Sequence, residues 1–565
     1  MSLPLIAGLV GVLLVLAFRS YGGFIARQHA LDDARPTPAT QLEDGADYLP
    51  TKPFYLLGQH FSAIAAAGPI AGPILAAQLF GWVPCLLWIG IGVVFIGAVH
   101  DFSALVASVR HGGRSIAEIV RLHLGHRAWV AMMCFIWVAL LYVILAFTDI
   151  TASTFVGRND DLGGLTFAFS QGGAVAFASV LYLLLSVAMG LVNRWLKPPL
   201  WLTTVVFVPA TLGVVWLGTQ LSKVMILDAR SWGILILAYS FLASMTPVWA
   251  LLQPRGYLGG FVLYMALAVG VLGILTGGFE IELEAFKTWH APGATGALFP
   301  YLFVTIACGA CSGFHGLVCS GTTSKQIARE SDTRIVGYGG MLLEGFVAVI
   351  ALSTVMIATG SQLAGMAPGA IYGAGLGRYA AALIGEEHLT LTTTFGAMAF
   401  STFVFDTLDV STRLGRYILQ ELFGWKGRAG MVLATLLTVA CPLALLLLAG
   451  EGSYRLFWTL FGASNQLLAG LSLLGIWMWM RREGRRAPFI YLPMAFVMAM
   501  TVWALVLQIG QAVDAVGRTG PSLSSAAVNG VVSFLLLGFA MVLIGEAVRS
   551  ARRSTGAAIA GTRGT

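Results

Sequence analysis

The sequence predicts an all-α polytopic membrane protein built around an inverted repeat, and three observations carry that expectation. Its 565 residues are 58% apolar and only 10% Asp, Glu, Lys or Arg, whereas soluble domains carry about 25% charged residues. Apolar runs of about 20 residues, the length that crosses a bilayer as a helix, recur from end to end. Two Gly/Pro-interrupted runs stand five helices apart, and an odd number of spans per repeat inverts the second copy relative to the first.

Fifteen runs bounded by charges or by Gly and Pro qualify as spans: 3–18, 53–78, 82–109, 128–153, 173–192, 200–218, 232–252, 257–277, 299–322, 337–360, 391–411, 431–448, 456–480, 489–509 and 526–548. With the N-terminus outside, the alternate loops and the C-terminal tail that face the cytoplasm hold 26 of the 33 Lys and Arg residues. The seven in outer loops are Arg158, Lys223, Arg230, Lys287, Arg378, Arg455 and Arg518. This is the asymmetry of the positive-inside rule. It also accounts for the net charge of +7, since no basic run has the density of a nucleic-acid-binding stripe. The six cysteines lie inside apolar runs and do not form a disulfide framework. The apolar N-terminus lacks a basic leader region and a small-residue cleavage site, so it is expected to be a retained helix.

Setting the first span aside gives a provisional division: 1–52, an N-terminal helix and cytoplasmic loop; 53–218 and 219–415, the two inverted halves; 416–550, accessory helices; and 551–565, a cytoplasmic tail. The opening helix of the first half carries Gly68-Pro69-Ile70-Ala71-Gly72-Pro73, and that of the second carries Thr246-Pro247-Val248-Trp249. Proline lacks an amide hydrogen and clashes with the preceding turn, so Pro69, Pro73 and Pro247 are expected to free the carbonyls of Ala65, Pro69 and Ala243. Freed carbonyls suit cations, and the N–H groups of a restarted half-helix suit a carboxylate. Close helix packing by the glycines and simple kinking by the prolines is the competing explanation.

Seven ordered segments resemble the carbon starvation protein A (CstA) transporters. They are DGADYLPT from Asp44; GQHF from Gly58 with the GPIAGP break; PVWALLQPRGYL from Pro247; ACGACSGFHGLVCSGTTSKQ from Ala307; GYGGMLLEGFVA from Gly337; DTLDVSTRLGR from Asp406; and LFGASNQLLAG from Leu460. The resemblance implies a bacterial inner-membrane secondary transporter distantly related to the amino acid–polyamine–organocation superfamily, associated with pyruvate uptake and peptide use. It implies a LeuT-like five-plus-five core, with one helix before it and about four after it. Two departures stand out: Gln59 replaces a histidine common in the family, and the chain is shorter, with no long insertion near 360–390.

Ionisable residues inside a bilayer are costly and mark candidate function. His60 stands before the first break, placed to touch substrate or carry a proton, or to donate to a helix-end carbonyl. With Gly68, Pro69, Gly72, Pro73, Thr246, Pro247, Trp249 and His315 it forms the expected substrate-binding set. Asp149, Glu344 and Asp406, with the hydroxyls of Ser320, Thr322 and Thr323, form the expected ion-coupling set, since hard cations prefer oxygen. Cys308, Cys311, His315 and Cys319 share a helical face but spread over about 16 Å, too far for one tetrahedral metal. Asp409 is expected to pair with Arg413 at i+4, while Asn465 and Gln466 are expected to bind helices together. DGADYLPT reads as an ordered cap and candidate cytoplasmic gate.

No Walker-type phosphate cradle and no protease motif is present. The expectation is therefore a transporter and not an enzyme, without cofactor or metal, coupled to H+ or Na+. Its partners are a small-molecule substrate and the bilayer, with no nucleic acid. A channel fits less well, because one inverted pair of interruptions favours alternating access.

Overall fold

In hydrocarbon every backbone polar group needs an internal partner, so long apolar runs become helices. The computed structural model describes residues 2–44, 47–156, 169–291, 296–448, 454–519 and 524–562. Gly45 and Ala46 of the DGADYLPT segment, and Arg158 and Arg563 among the basic residues, lie outside them.

The chain opens with α1 (Leu3–Arg19), α2 (Tyr21–His29) and the short α3 (Pro38–Gln41). The interrupted pair α4 (Pro53–Ile64) and α5 (Gly68–Phe80) follows. Next, α6 (Trp82–Gly92) and α7 (Ala98–Arg110) are joined through a π-turn, Val93–Gly97, and α8 (Ile116–Leu124) precedes the 30-residue α9 (His126–Phe155). A hairpin, α10 (Gln171–Trp195) and α11 (Leu200–Gln220), leads to α12 (Ala229–Met245) and α13 (Leu252–Thr276). Strands β1 (His290–Ala291) and β2 (Gly296–Ala297) pair antiparallel ahead of α14 (Leu298–Thr305) and α15 (Gly313–Gly321). A second π-turn, Arg334–Tyr338, opens α16 (Gly339–Met356). Then come α17 (Gly360–Leu363), α18 (Pro368–Ile384), α19 (Leu389–Phe423), α20 (Gly427–Leu448), α21 (Tyr454–Arg482), α22 (Pro488–Thr519) and α23 (Ser525–Thr562).

Each of the fifteen predicted spans coincides with helix over most of its length, but three are interrupted, 53–78 at 65–67, 232–252 at 246–251 and 299–322 at 306–312, and the count of membrane-crossing helices is lower than fifteen. Among the described residues, eleven helical segments are long and apolar enough to cross a membrane, and the bent pair α4–α5 makes a twelfth. This is an integral membrane protein. Besides the short α2, α3, α8 and α17, one long helix was not anticipated: α18 occupies the region read as an outer loop, lying antiparallel along α19 with Gly373 against Ala397 and Gly377 against Thr393. Its glycines dilute the hydropathy while permitting that close packing, which hides it from an apolar scan.

Hydrogen bonds sort the loops to two ends of the bundle. At one end, Arg334 donates to the Phe18 carbonyl (2.6 Å), Leu49 N to Lys325 O (3.2 Å), Arg110 to His29 O (2.8 Å) and Arg482 to Leu122 O (3.4 Å). At the other, Trp82 N donates to Glu284 O (3.3 Å), Glu282 N to Met356 O (2.8 Å) and Arg230 to Leu447 O (3.0 Å). These are the two loop sets that the basic-residue count separates.

The packing is paired. Helix α4 lies against α15 and α5 against α14; α5 packs on α16 as α15 packs on α7; α9 meets α19 and α12 meets α20. Likewise α13 packs on α18 and α4, as α21 packs on α8 and α14. The segment expected to open the second half, Thr246–Leu251, is a turn between two separate helices, α12 and α13. Thr246 holds an extended backbone ahead of Pro247 (φ −75°, ψ 151°), so this proline ends a helix instead of breaking one.

Candidate functional site

Two interrupted helices meet back to back in the buried core. Helix α4 leaves the helical region at Ala65 (φ −73°, ψ 57°), and the chain restarts at Gly68 after a bend of 47°. Pro69 therefore sits in the first turn of α5, where a missing N–H costs little, and the interruption precedes the GPIAGP motif instead of falling within it. The motif serves approach: a Cβ on Gly68 would collide with Cys308, and one on Gly72 with the Thr305 carbonyl, at 2.7 Å.

The second interruption spans Ile306 to Ser312, a stretch without proline, inside the run expected to be the continuous helix 299–322. Side chains from elsewhere hold it open. Trp458 Nε1 donates to Thr305 O (3.0 Å) and Trp88 Nε1 to Ile306 O (3.3 Å). Asn465 Oδ1 accepts from Phe314 N at the start of α15 (2.9 Å), while its Nδ2 donates to Ser312 Oγ (3.0 Å). Asn465 does bind helices together, and specifically bridges the broken one. Because Cys308 and Cys311 lie in this gap, the shared helical face on which the metal argument rested does not exist.

Beside the interruptions lies a cluster of titratable groups, each 0–1% exposed: His60, His100, Asp101, His315 and Glu344. His315 on α15 sits between two carboxyls, with Nδ1 2.9 Å from Asp101 Oδ2 and Nε2 3.2 Å from Glu344 Oε2. Asp101 Oδ1 also meets His100 Nδ1 at 2.7 Å. His60 Nδ1 is 2.9 Å from Thr323 Oγ1, and its ring lies against α16 at Gly340, where a Cβ would stand 3.0 Å away. Glu344 Oε1 has no hydrogen-bond partner among the described residues. Three expected residues, His60, His315 and Glu344, are thus brought together.

Asp101 and His100 were missed. The signal was present, a His-Asp pair inside the otherwise apolar 82–109 run.

The remaining candidates are elsewhere or already engaged. Ser320 donates to Gly316 O and accepts from Ile116 N, and Thr322 donates to Val318 O, so the three hydroxyls do not surround one point. Asp149 is buried on α9. Thr246, Pro247 and Trp249 lie at the α12–α13 turn, and the Ala243 carbonyl expected to be free accepts from Arg413 (2.9 Å) and Thr246 Oγ1 (2.8 Å). Arg413 is therefore not the partner of Asp409. Fully buried Arg255, expected in a loop, donates to Asp406, Asp409 and Tyr239 Oη.

Below His60 the chain is clamped. Thr51 N donates to Gln326 O (3.0 Å), and Lys325 stands over the Tyr48 ring at 5.3 Å. Glu330 accepts from Arg35, Arg110 and the Asp32 amide, all at 3.0 Å. Burial works to raise the Glu330 carboxyl, but these donors prevail and hold it below its ordinary range.

A membrane-embedded bundle whose two interrupted helices cross at buried titratable groups is the frame of a secondary transporter. The chain belongs to the carbon starvation protein CstA family, whose model matches residues 3–375 and 363–504. It is 33% identical to the peptide transporter CstA of Helicobacter pylori strain J99, over 87% of this chain and 80% of that one. It is 32% identical to the peptide transporter CstA of Escherichia coli K12 (87% and 79%), and 31% identical to the same organism's pyruvate/proton symporter BtsT (90% and 82%). Among solved structures, a manganese transporter of Eremococcus coleocola matches at 12% identity and a TM-score of 0.42, over 90% of this chain and 99% of that one.

Proposed function

We propose that this protein imports pyruvate or a related small carboxylate by proton-coupled alternating access across the bacterial inner membrane, with its N-terminus outside and its C-terminus cytoplasmic. One observation carries the reading: the imidazole of His315 sits between Asp101 and Glu344 beside the crossing of the two interrupted helices. The cluster changes charge when a proton arrives, and α15, which carries the imidazole, is half of a broken helix.

The same reading assigns a LeuT-like five-plus-five core, with the second half opening at Leu298. The first half comprises α4–α5, α6–α7, α9, α12 and α13, and the second comprises α14–α15, α16, α19, α20 and α21. The hairpin α10–α11 is then an insertion within the first half. The reciprocal pairings support this, as does the recurrence of a π-turn in the second member of each half. Substrate carboxylate meets the restarted half-helices at Gly68 and Gly313, and segment 44–51 with Glu330 acts as the cytoplasmic gate.

Peptide transport is the second reading, favoured by the names of the H. pylori and E. coli CstA relatives. Uptake into liposomes decides between them. Labelled pyruvate is expected to accumulate under an imposed pH gradient and not under a sodium gradient. Accumulation of a dipeptide alone would overturn the substrate, and sodium dependence would overturn the proton.

A further inference from the structure

We propose that a second, outer carboxylate subsite lies in the cavity walled by α5, α14, α21, α22 and α23, at the end of the bundle opposite the clamp. The cavity measures 680 Å³. Arg455 and Arg518 stand at its mouth, and Asp514 is the single acidic residue among its described lining residues. Gln78, in the last turn of α5, also lines it. Tyr301 Oη, also in the lining, accepts from Gln511 (3.0 Å). The floor is Thr305 and Trp458, with the indole N–H spent on the Thr305 carbonyl.

Three consequences follow from this geometry. Among the described lining residues two guanidiniums stand against one carboxylate, a net positive charge that favours an anion in the chamber. Thr305 is the last residue of α14, so the chamber ends where the second interruption begins and leads to the buried crossing. At 680 Å³ it is far roomier than a three-carbon acid needs, so it receives a carboxylate in a hydrated state, or the C-terminal carboxylate of a short peptide, before the tight site does. The inference rests on the carboxylate reading of the substrate above, but not on which carboxylate is carried.

The test places a thiol in the chamber by Ala526→Cys in the full-length protein in liposomes, with Leu79→Cys as a second position and the unaltered chain as background. Modification rates are read with a negatively and a positively charged methanethiosulfonate of similar size. The anionic reagent is expected to react about fivefold faster at low salt, as a charged cleft concentrates its counter-ion. That preference should vanish in about 1 M salt, where the screening length is about 3 Å, and it should fall severalfold when Arg518→Gln is added. Protection by pyruvate or by a dipeptide, and not by the dipeptide amide, is also expected, and which of the two protects names the source of the carboxylate. Equal rates for the two reagents at both positions, a preference indifferent to Arg518→Gln, or protection by neither carboxylate would each overturn the subsite. Failed pyruvate accumulation alongside dipeptide protection would instead remove only the pyruvate reading.

Discussion

Two ionic clusters occupy this bundle, and in each two carboxyls flank one central base. In the first, Arg255 joins Asp406 and Asp409 between α13 and α19; in the second, His315 joins Asp101 and Glu344 among α15, α7 and α16. The difference is the base. A guanidinium keeps its proton at any physiological pH, while an imidazole gives it up readily. The arginine cluster therefore keeps a fixed positive centre and ties helices together, whereas the centre of the histidine cluster carries a removable proton and sits where the backbone is already interrupted.

The contrast breaks first if Arg255→Met is tolerated. Stranding the buried Asp409 carboxyl beside Asp406 should cost about 3–5 kcal/mol, visible as lost folded yield or a lower unfolding midpoint in detergent. Asn465→Ala, which unbraces the second interruption, should cost about 1–3 kcal/mol by leaving buried groups unpaired. A midpoint equal to wild type would show that the gap is held without it. His315→Gln should leave the folded yield and substrate exchange near wild type. Under a gradient of one pH unit, accumulation of about tenfold, the most that one proton supplies, should drop to none; preserved accumulation would place the proton elsewhere.

The smallest effect belongs to the clamp. The Glu330 carboxyl is held below its ordinary value of 4.5 in the folded chain. Its contribution is therefore complete above about pH 4.5 and is lost as the pH falls through the depressed folded value. Glu330→Gln should flatten that acid limb of a stability profile by about 1 kcal/mol or less, with little change in shape at neutral pH.

The spans and the family were legible in the chain, because hydropathy, basic-residue bias and ordered motifs are local properties. Half of the site was legible for the same reason: His60, His315 and Glu344 are ionisable groups in apolar runs. What failed was the rule that proline marks a break. Pro247 ends a helix at a turn, while the break at 306–312 has no proline and depends on Trp88, Trp458 and Asn465, which are distant in sequence. Asp101 escaped because its partner lies more than 200 residues away, and α18 escaped because its glycines, needed to sit on α19, lower its hydropathy.

The clamp also constrains the order of events during synthesis. Leu49 and Thr51 are bonded to the backbone of Lys325 and Gln326, so a segment made among the first must stay unpartnered until one made much later emerges. At about 5–20 residues per second, that delay is roughly 15–60 s on the ribosome. The nascent chain thus spends much of its assembly with the clamped end open, and the closing of that end is a late event, set by the ribosome's pace.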